Sequence, residues 1–567
     1  MERVASFLLM VLVAGAATRG QTEAKSPKED LGTISGVVMK MAGSVPLRKA
    51  RAWLQSTDDP RRSISALTDA AGKFTLKDIE PGSYRLSISR AGFVTEQYGR
   101  RKPGGPGAIL TLRAKQEMKL EFRLIPSGVI SGKILDEDGE PLPMVSVLAL
   151  KQIYADGKRT LGTMARAETN DLGEYRLHGL PPGRYFVSAI YLSWNRFGDQ
   201  GEMISADEQA HPEGYAKMYY PGTADSGKAE AITVKPGEEV SSIEMLMRPV
   251  TVHRVRGHVY NQITHRPATG ATVLLIPQKE SRQWESMLQA ELRKSDGSFE
   301  LSEVTPAEYV LAVYWFDEGK SYVSRQTLVV GNADVEGIAM TISPGATING
   351  RMVWDGRPSL EQDELTIMAQ PVDIPFAFEG QMRVNRDNTF VLREVGEGTY
   401  RAIVNGQSKD CYIKDVRYGE ASGLKDGFTV TKGEGGNLEI TVSSHGARVE
   451  GTVMDANGLP LPGVAVALVP ETSRRDQFRL YKSQNTDQYG HFDLRGITPG
   501  EYKVFSWEEA EQDAWQDAEF LKPFESKGER VILNDDDKKD VKITVISAIN
   551  KDRIIAAAKT HQDMDMR

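Results

Sequence analysis

The sequence predicts an all-β fold: five tandem β-sandwich domains of about 100 residues each, joined by short linkers. Three observations predict it. A phrase of turn residues and alternating apolar residues occurs five times along the chain. A second patterned stretch precedes each copy. Finally, 567 residues are too many for one hydrophobic core, since single cores stop growing at roughly 250–300 residues.

The phrase is plainest in "TNDLGEYRLHGLPPGRYFV" (Thr169–Val187). Its relatives are "TDAAGKFTLKDIEPGSYRL" (Thr68–Leu86), "SDGSFELSEVTPAEYVL" (Ser295–Leu311), "NRDNTFVLREVGEGTYRA" (Asn385–Ala402) and "TDQYGHFDLRGITPGEYKV" (Thr486–Val504). The closing tyrosines Tyr84, Tyr185, Tyr309, Tyr400 and Tyr502 stand roughly 100 residues apart, the size of one small domain. Thr-Asp/Asn-x-x-Gly specifies a tight turn, because the Asp or Asn side chain bonds backbone and glycine takes a positive φ. Apolar residues then alternate, as in Phe74 and Leu76 or Phe492 and Leu494, the period of a strand with one buried face. Pro81-Gly82, Pro182-Gly183 and Pro499-Gly500 mark the next turn, and the tyrosine opens another strand. These signals read as a β-hairpin.

The upstream halves match as well. "ISGKILDEDGEPLPMVSVLAL" (Ile130–Leu150) parallels "VEGTVMDANGLPLPGVAVALV" (Val449–Val469), a strand, a glycine turn and a second alternating strand. Looser copies begin at Ile34 and Val255, and a shortened one at Ile348. Each domain closes in a further strand pair, such as Ala231–Pro249. The spacing divides the chain into sandwiches over 31–126, 127–249, 250–344, 345–445 (the divergent copy) and 446–548, with a polar tail over 549–567. The second carries an aromatic insert over 189–223. Linkers such as Arg123–Gly132 pass directly from strand to strand. They fit either a rod on the order of 150 Å or a compact bundle.

"MERVASFLLMVLVAGAATRGQ" places Arg3 before an apolar run from Val4 to Ala17, followed by small residues. The run of about 14 residues is shorter than the roughly 20 that span a membrane, so residues 1–20 read as a secretory signal peptide. No cysteine follows the run to take a lipid. No LPxTG signal or apolar span stands near the last residue, so a secreted or periplasmic protein with no transmembrane segment after cleavage is expected, as a monomer. Hydrophobic residues at 40% and charged residues at 26% fit an ordinary globular protein. The net charge of −8, without a basic stripe, argues against nucleic acid as a partner. With Cys411 as the one cysteine, no disulfide framework can form, and each domain must stand on its apolar core.

The pattern G-x-V, G-x-P-L-x-x-A/V-x-V, T-D-x-x-G-x-F/Y-x-L, P-G-x-Y-x-V resembles the carboxypeptidase regulatory-like domain. The resemblance covers about Leu31 to Ser547 and is closest in the first, second and fifth repeats. It implies a Greek-key, prealbumin-like or starch-binding-like sandwich with a non-catalytic accessory or binding role. "MYYPGTADSGKAEAITVKPGEEV" (Met218–Val240) and "AWQDAEFLKPFESKGERVIL" (Ala514–Leu533) further resemble exported tandem-repeat members of acidobacterial type.

The residues offer little catalytic chemistry. A zinc carboxypeptidase needs His-x-x-Glu, but Pro181, Gly214, Arg256, Asn261, Ala268, Arg448, Leu494 and Met564 stand three residues after the eight histidines. There is no His-Glu-x-x-His, Gly-x-Ser-x-Gly or P-loop. The repeats are similar to the B-type repeats of Gram-positive collagen adhesins, where a Glu four residues after the tyrosine catalyses an isopeptide bond. Here those positions hold Ile88, Ala189, Val313, Val404 and Ser506, so no such bond is expected. "DEDGE" (Asp136–Glu140) and "NDDDKKD" (Asn534–Asp540) could hold calcium but read more simply as solvated turns, and no metal or cofactor is expected.

Aromatic residues remain. Sugar-binding surfaces use exposed aromatic faces beside a few polar groups. Trp194, Tyr215, Tyr219 and Tyr220 of the insert, with Trp507 and Trp515 of the fifth domain, are the candidate ligand contacts. Packing is the competing role: the spacing in "AWQDAEFLKPF" suits a short amphipathic helix lying on the core. The expected function is non-enzymatic: binding of a polysaccharide or envelope glycan. The alternatives are a protein-binding adhesion or assembly scaffold and, more remotely, an accessory subunit of a hydrolase.

Overall fold

The structure, a computed structural model, describes residues 30–102, 105, 107–155, 157–191, 213–278, 287–292, 295–317, 320–357, 365–374, 379–431 and 433–547. The signal peptide and the polar tail read from the sequence lie outside these residues.

Five β-sandwiches follow one another, each with its own apolar core. The first shows the plan. Its opening strand Gly32–Lys40 lies at the centre of one sheet, antiparallel to Lys73–Ile79 and parallel to Glu117–Leu124. The second sheet runs Ser63–Leu67, Arg51–Ser56, Gly82–Ser89, Glu96–Gln97, and Leu110–Leu112 also pairs with Gly82–Ser89. Phe74, Leu76 and Ile79 from one sheet meet Leu54, Tyr84, Leu86 and Ile88 from the other in a single core. The opening strands Gly128–Leu135, His253–Asn261, Ala346–Asp355 and Ala447–Met454 repeat the arrangement, each with an antiparallel and a parallel neighbour.

The repeated phrase is therefore not a hairpin. Its two strands belong to opposite sheets: Lys73–Ile79 pairs with Gly32–Lys40, while Gly82–Ser89 pairs with Arg51–Ser56. Periodicity could not separate the two, because both arms bury alternate residues in the same core whichever sheet holds them. A bulge makes the crossing. Leu76 faces Ile34 but Ile79 faces Gly32, so the phrase carries one residue more than its partner there. The extra position holds Asp78, Gly179, Glu303, Glu394 or Gly496, all with φ between +55° and +79°.

Three hydrogen-bond devices then fix the phrase. The Asp69 carboxylate accepts from the amides of Ala71 and Lys73 at 2.9 and 2.8 Å, and Asn170 and Asp487 repeat this. Gly72 turns at φ +72°, where a Cβ would stand 2.5 Å from the Val38 carbonyl oxygen; the divergent copy uses Asn388 at φ +65° instead. The buried threonine hydroxyl accepts a backbone amide and donates to a carbonyl of the upstream half. Thr169 takes Val145 N and gives to Leu142 O; Thr486 takes Val464 N and gives to Leu461 O. Finally, every repeat tyrosine donates to the carbonyl four residues before it: Tyr84 to Glu80, Tyr185 to Pro181, Tyr309 to Thr305, Tyr400 to Gly396 and Tyr502 to Thr498. The tyrosine thus caps the crossing turn while its ring fills the core, the logic of a tyrosine corner.

The sandwiches close on themselves rather than forming a rod. Thr111 of the first exchanges two hydrogen bonds with the Gln488 side chain of the fifth, at 3.0 and 2.7 Å. Asn485 donates to Gly107 O at 2.8 Å, and Ile109 bridges to Asp487. Arg101 pairs with Glu508 at 2.7 Å. The fifth sandwich also meets the second, where Phe520 lies edge-on to Tyr154, and the fourth, where Tyr412 bonds Asp535 at 3.0 Å. Arg325 of the third pairs with Asp373 and Tyr400 of the fourth, at 2.8 and 2.6 Å.

Candidate functional site

Each second sheet has an inner face in the core and an outer face, and the repeat tyrosine aligns them across domains. The residue before the strand partner of the second aliphatic position is Trp53, Leu148, Leu274, Met368 and Ala467 in turn. All five point outward, yet their surroundings differ.

In three sandwiches the outer face is apolar and covered. In the second, Leu148, Leu150 and Ile190 are roofed by Tyr219. In the third, Ile276, Val310 and Ala312 pack on Ile374 of the fourth sandwich. In the fifth, Ala465, Ala467, Val469, Phe505 and Trp507 lie under Trp515, Leu521 and Phe524. This last cover is the expected short helical segment, made of the 3-10 turns Ala514–Gln516 and Lys522–Lys527 around the α-turn Ala518–Leu521. Glu525 pins it by accepting from Lys503 and Arg475.

Trp507 and Trp515 are accordingly core residues, 0% and 1% exposed, stacked with ring centroids 6.1 Å apart. Enclosed on all sides, they offer no ring face to a ligand, which corrects their reading as contacts. Tyr219 is corrected in the same way: it is 4% exposed, with the Lys217 ammonium over its ring. Tyr215 is half-buried, edge-on to Tyr191 at 5.5 Å, and its hydroxyl donates to Glu137 at 3.1 Å. Burial and the adjacent Glu137 carboxylate push that hydroxyl's pKa up. Tyr220 packs half-buried against the second core. Trp194 lies outside the described residues.

The first sandwich differs. Trp53 is 39% exposed at the middle of its sheet, with Ser65 and Ser87 directly beside it on the neighbouring strands. Two serines leave the large ring uncovered on both flanks. Arg51 and Gln55 lie along its own strand; Leu67, Ser63, Ser89 and Arg85 occupy the diagonals. Among the described residues neither Arg51 nor Arg85 is held in an ion pair or a side-chain hydrogen bond. At the end of the face, Thr111 meets the fifth sandwich. Sequence reasoning passed over Trp53 in favour of the inserts, although the inward Ala52 and Leu54 on either side already marked it as outward.

Two other places resemble sites. A groove of about 600 Å³ on the second sandwich is lined by Lys133, Glu174, Tyr175, Arg176 and Glu244, but Lys133 pairs with Glu174 and Arg176 with Glu239. Its charges are largely spent on one another. At the junction of the fourth and fifth sandwiches, His445 Nδ1 sits 2.6 Å from Asp536, next to Ser444. The Ser444 hydroxyl donates to Asp355 O and accepts from Arg357 N. Hydrogen bonding to Asp536 holds the His445 pKa above its usual value, and the neighbouring serine hydroxyl is engaged by backbone groups. The acidic turns have structural work: Asp136 accepts from Asp138 N and Glu140 N, and Asp535 and Asp536 bond Tyr412 and His445. Cys411 is buried in the fourth core.

A model of the carboxypeptidase regulatory-like domain matches residues 33–124 and 129–207. No curated protein matches the chain. Among solved structures the chain is similar to GBS52, the minor pilin of Streptococcus agalactiae, at 14% identity over 39% of this chain and 96% of that one, with a TM-score of 0.22. It is similar to BcpA, the major pilin subunit of Bacillus cereus, at 11% identity over 55% and 100%, TM-score 0.14, and to the shaft pilin SpaA of Lactobacillus rhamnosus GG at 11% over 39% and 98%, TM-score 0.18. At these scores the likeness says nothing about partners.

Proposed function

We propose, from the premise that the first two sandwiches are carboxypeptidase regulatory-like domains and the other three repeat their plan, that this chain is a non-enzymatic binding scaffold of the cell envelope that holds a polysaccharide. One observation carries the reading. Three outer sheet faces are apolar and covered, whereas the face around Trp53 is polar and open. An exposed indole between hydroxyl-bearing neighbours is the chemistry that recognises a sugar ring: stacking on the face, hydrogen bonds at the rim. Export is inferred from Arg3 and the apolar run that follows it. Trp194, Tyr215 and Tyr220 supply a secondary contact on the second sandwich.

Co-sedimentation with insoluble polysaccharides and purified envelope fractions tests this. The expected result is retention that Trp53→Ala abolishes and that Trp194→Ala and Tyr220→Ala weaken less. Failure of every polysaccharide and envelope glycan to retain the protein would overturn it. A protein partner is the second reading: a specific envelope protein is then captured and Trp53→Ala changes nothing.

A further inference from the structure

We infer that the open face of the first sandwich takes a polysaccharide bearing uronic acid carboxylates; this rests on the glycan reading above and specifies its ligand. The outward positions of the strands Arg51–Ser56, Ser63–Leu67 and Gly82–Ser89 are Arg51, Trp53 and Gln55; Ser63, Ser65 and Leu67; Ser83, Arg85, Ser87 and Ser89. The only charges among them are two guanidinium groups. That is a cationic face on a chain whose net charge is −8.

Geometry sharpens the point. Arg51 is two residues along the strand from Trp53, and Arg85 faces Gln55 on the other side of it, so the two arginines flank the indole on a diagonal. Each stands about 7 Å from the tryptophan position, close to the reach of adjoining sugar units. Both side chains are exposed, and neither has an anionic partner among the described residues. A guanidinium presents a planar fork that matches a carboxylate in two parallel hydrogen bonds, which a neutral hydroxyl does not reproduce. Five serine hydroxyls and the Gln55 amide supply further donors and acceptors for sugar hydroxyls. The tryptophan strand Arg51–Ser56 is paired on both edges, so a ligand reaches Trp53 across the face of the sheet. The ligand therefore lies on the face as a chain of sugars: one ring over Trp53, carboxylates on its neighbours toward Arg51 and Arg85.

Affinity electrophoresis of the full chain in polygalacturonate, in its methyl ester, in dextran sulfate and in neutral dextran tests this, with Arg51→Gln/Arg85→Gln and Trp53→Ala alongside. All three positions are on the surface, and circular dichroism checks that the variants fold. The expected result is retardation by polygalacturonate, about tenfold weaker with the methyl ester or the double arginine variant, and declining as salt rises. Equal retardation by acid and ester would overturn the uronate assignment while leaving the glycan reading intact. So would retardation by dextran sulfate alone. Binding to the neutral polymer that Trp53→Ala abolishes would have the same meaning. Retardation by none of the four overturns the inference, and the co-sedimentation experiment then decides the glycan reading independently.

Discussion

At the scale of single residues, two tryptophans at nearby repeat positions have opposite roles, and the difference is what lies above the sheet. Trp507 sits under a helical cover, so Trp507→Ala opens a large cavity costing about 3–5 kcal/mol. Trp53 has no such cover and is 39% exposed, so Trp53→Ala should cost less, about 1–2 kcal/mol. Hydrogen exchange separates them: amides of Ala465–Pro470 should speed up more in the first variant than those of Arg51–Ser56 do in the second. The sequence made Trp53 outward by alternation but could not tell that its face stays open. That depends on Ser65 and Ser87 being its neighbours, a matter of register between strands 12 and 34 residues away. It likewise made Trp515 conspicuous without revealing that it closes over Trp507. His445 gives a separate prediction. Its pKa is raised by the bond to Asp536, so the charged pair is fully formed below the ordinary histidine pKa and is lost as pH rises through the raised value. An NMR titration should place His445 above the usual histidine range, and Asp536→Asn should bring it down; an unshifted titration in the parent protein would contradict the contact.

At the scale of the element, the five phrases were legible and their topology was not. Turn residues, alternation and the closing tyrosine all named strands correctly, because those signals are local. Whether the two strands pair with each other or with distant partners is decided by the bulge at Asp78 and its equivalents, and acidic residues there carry no obvious turn signature. The tyrosine hydroxyl is the second determinant, since it ties the crossing turn to the strand that follows. Tyr502→Phe keeps the ring in the core but leaves the Thr498 carbonyl without its donor, which should cost about 1–3 kcal/mol. Thr486→Val loses both a donor and an acceptor to buried backbone groups and should cost a similar amount. Either change should lower the melting transition of the fifth sandwich, followed by its buried tryptophan fluorescence; an unchanged transition would show that these bonds are replaceable by water.

At the scale of the whole molecule, the described contacts bring the fifth sandwich against the first, second and fourth. The short linkers permitted a rod or a bundle, and side chains far apart in sequence, such as Thr111 and Gln488, select the bundle. Closure also has a functional consequence, because it places the turn of the fifth sandwich at the border of the Trp53 face and holds that border in place. Small-angle scattering should give a radius of gyration of about 25–30 Å, against more than about 40 Å for five sandwiches in line. No helix among the described residues is long and apolar enough to cross a membrane.

Binding through the open outer face around Trp53 is tested by hydroxyl-radical footprinting in the presence of a retained polysaccharide. Oxidation of Trp53 should fall on adding the polysaccharide, while Trp507 and Trp515 stay unreactive with or without it. Unchanged oxidation of Trp53, with protection instead at Tyr215 and Tyr220 or nowhere, would contradict it.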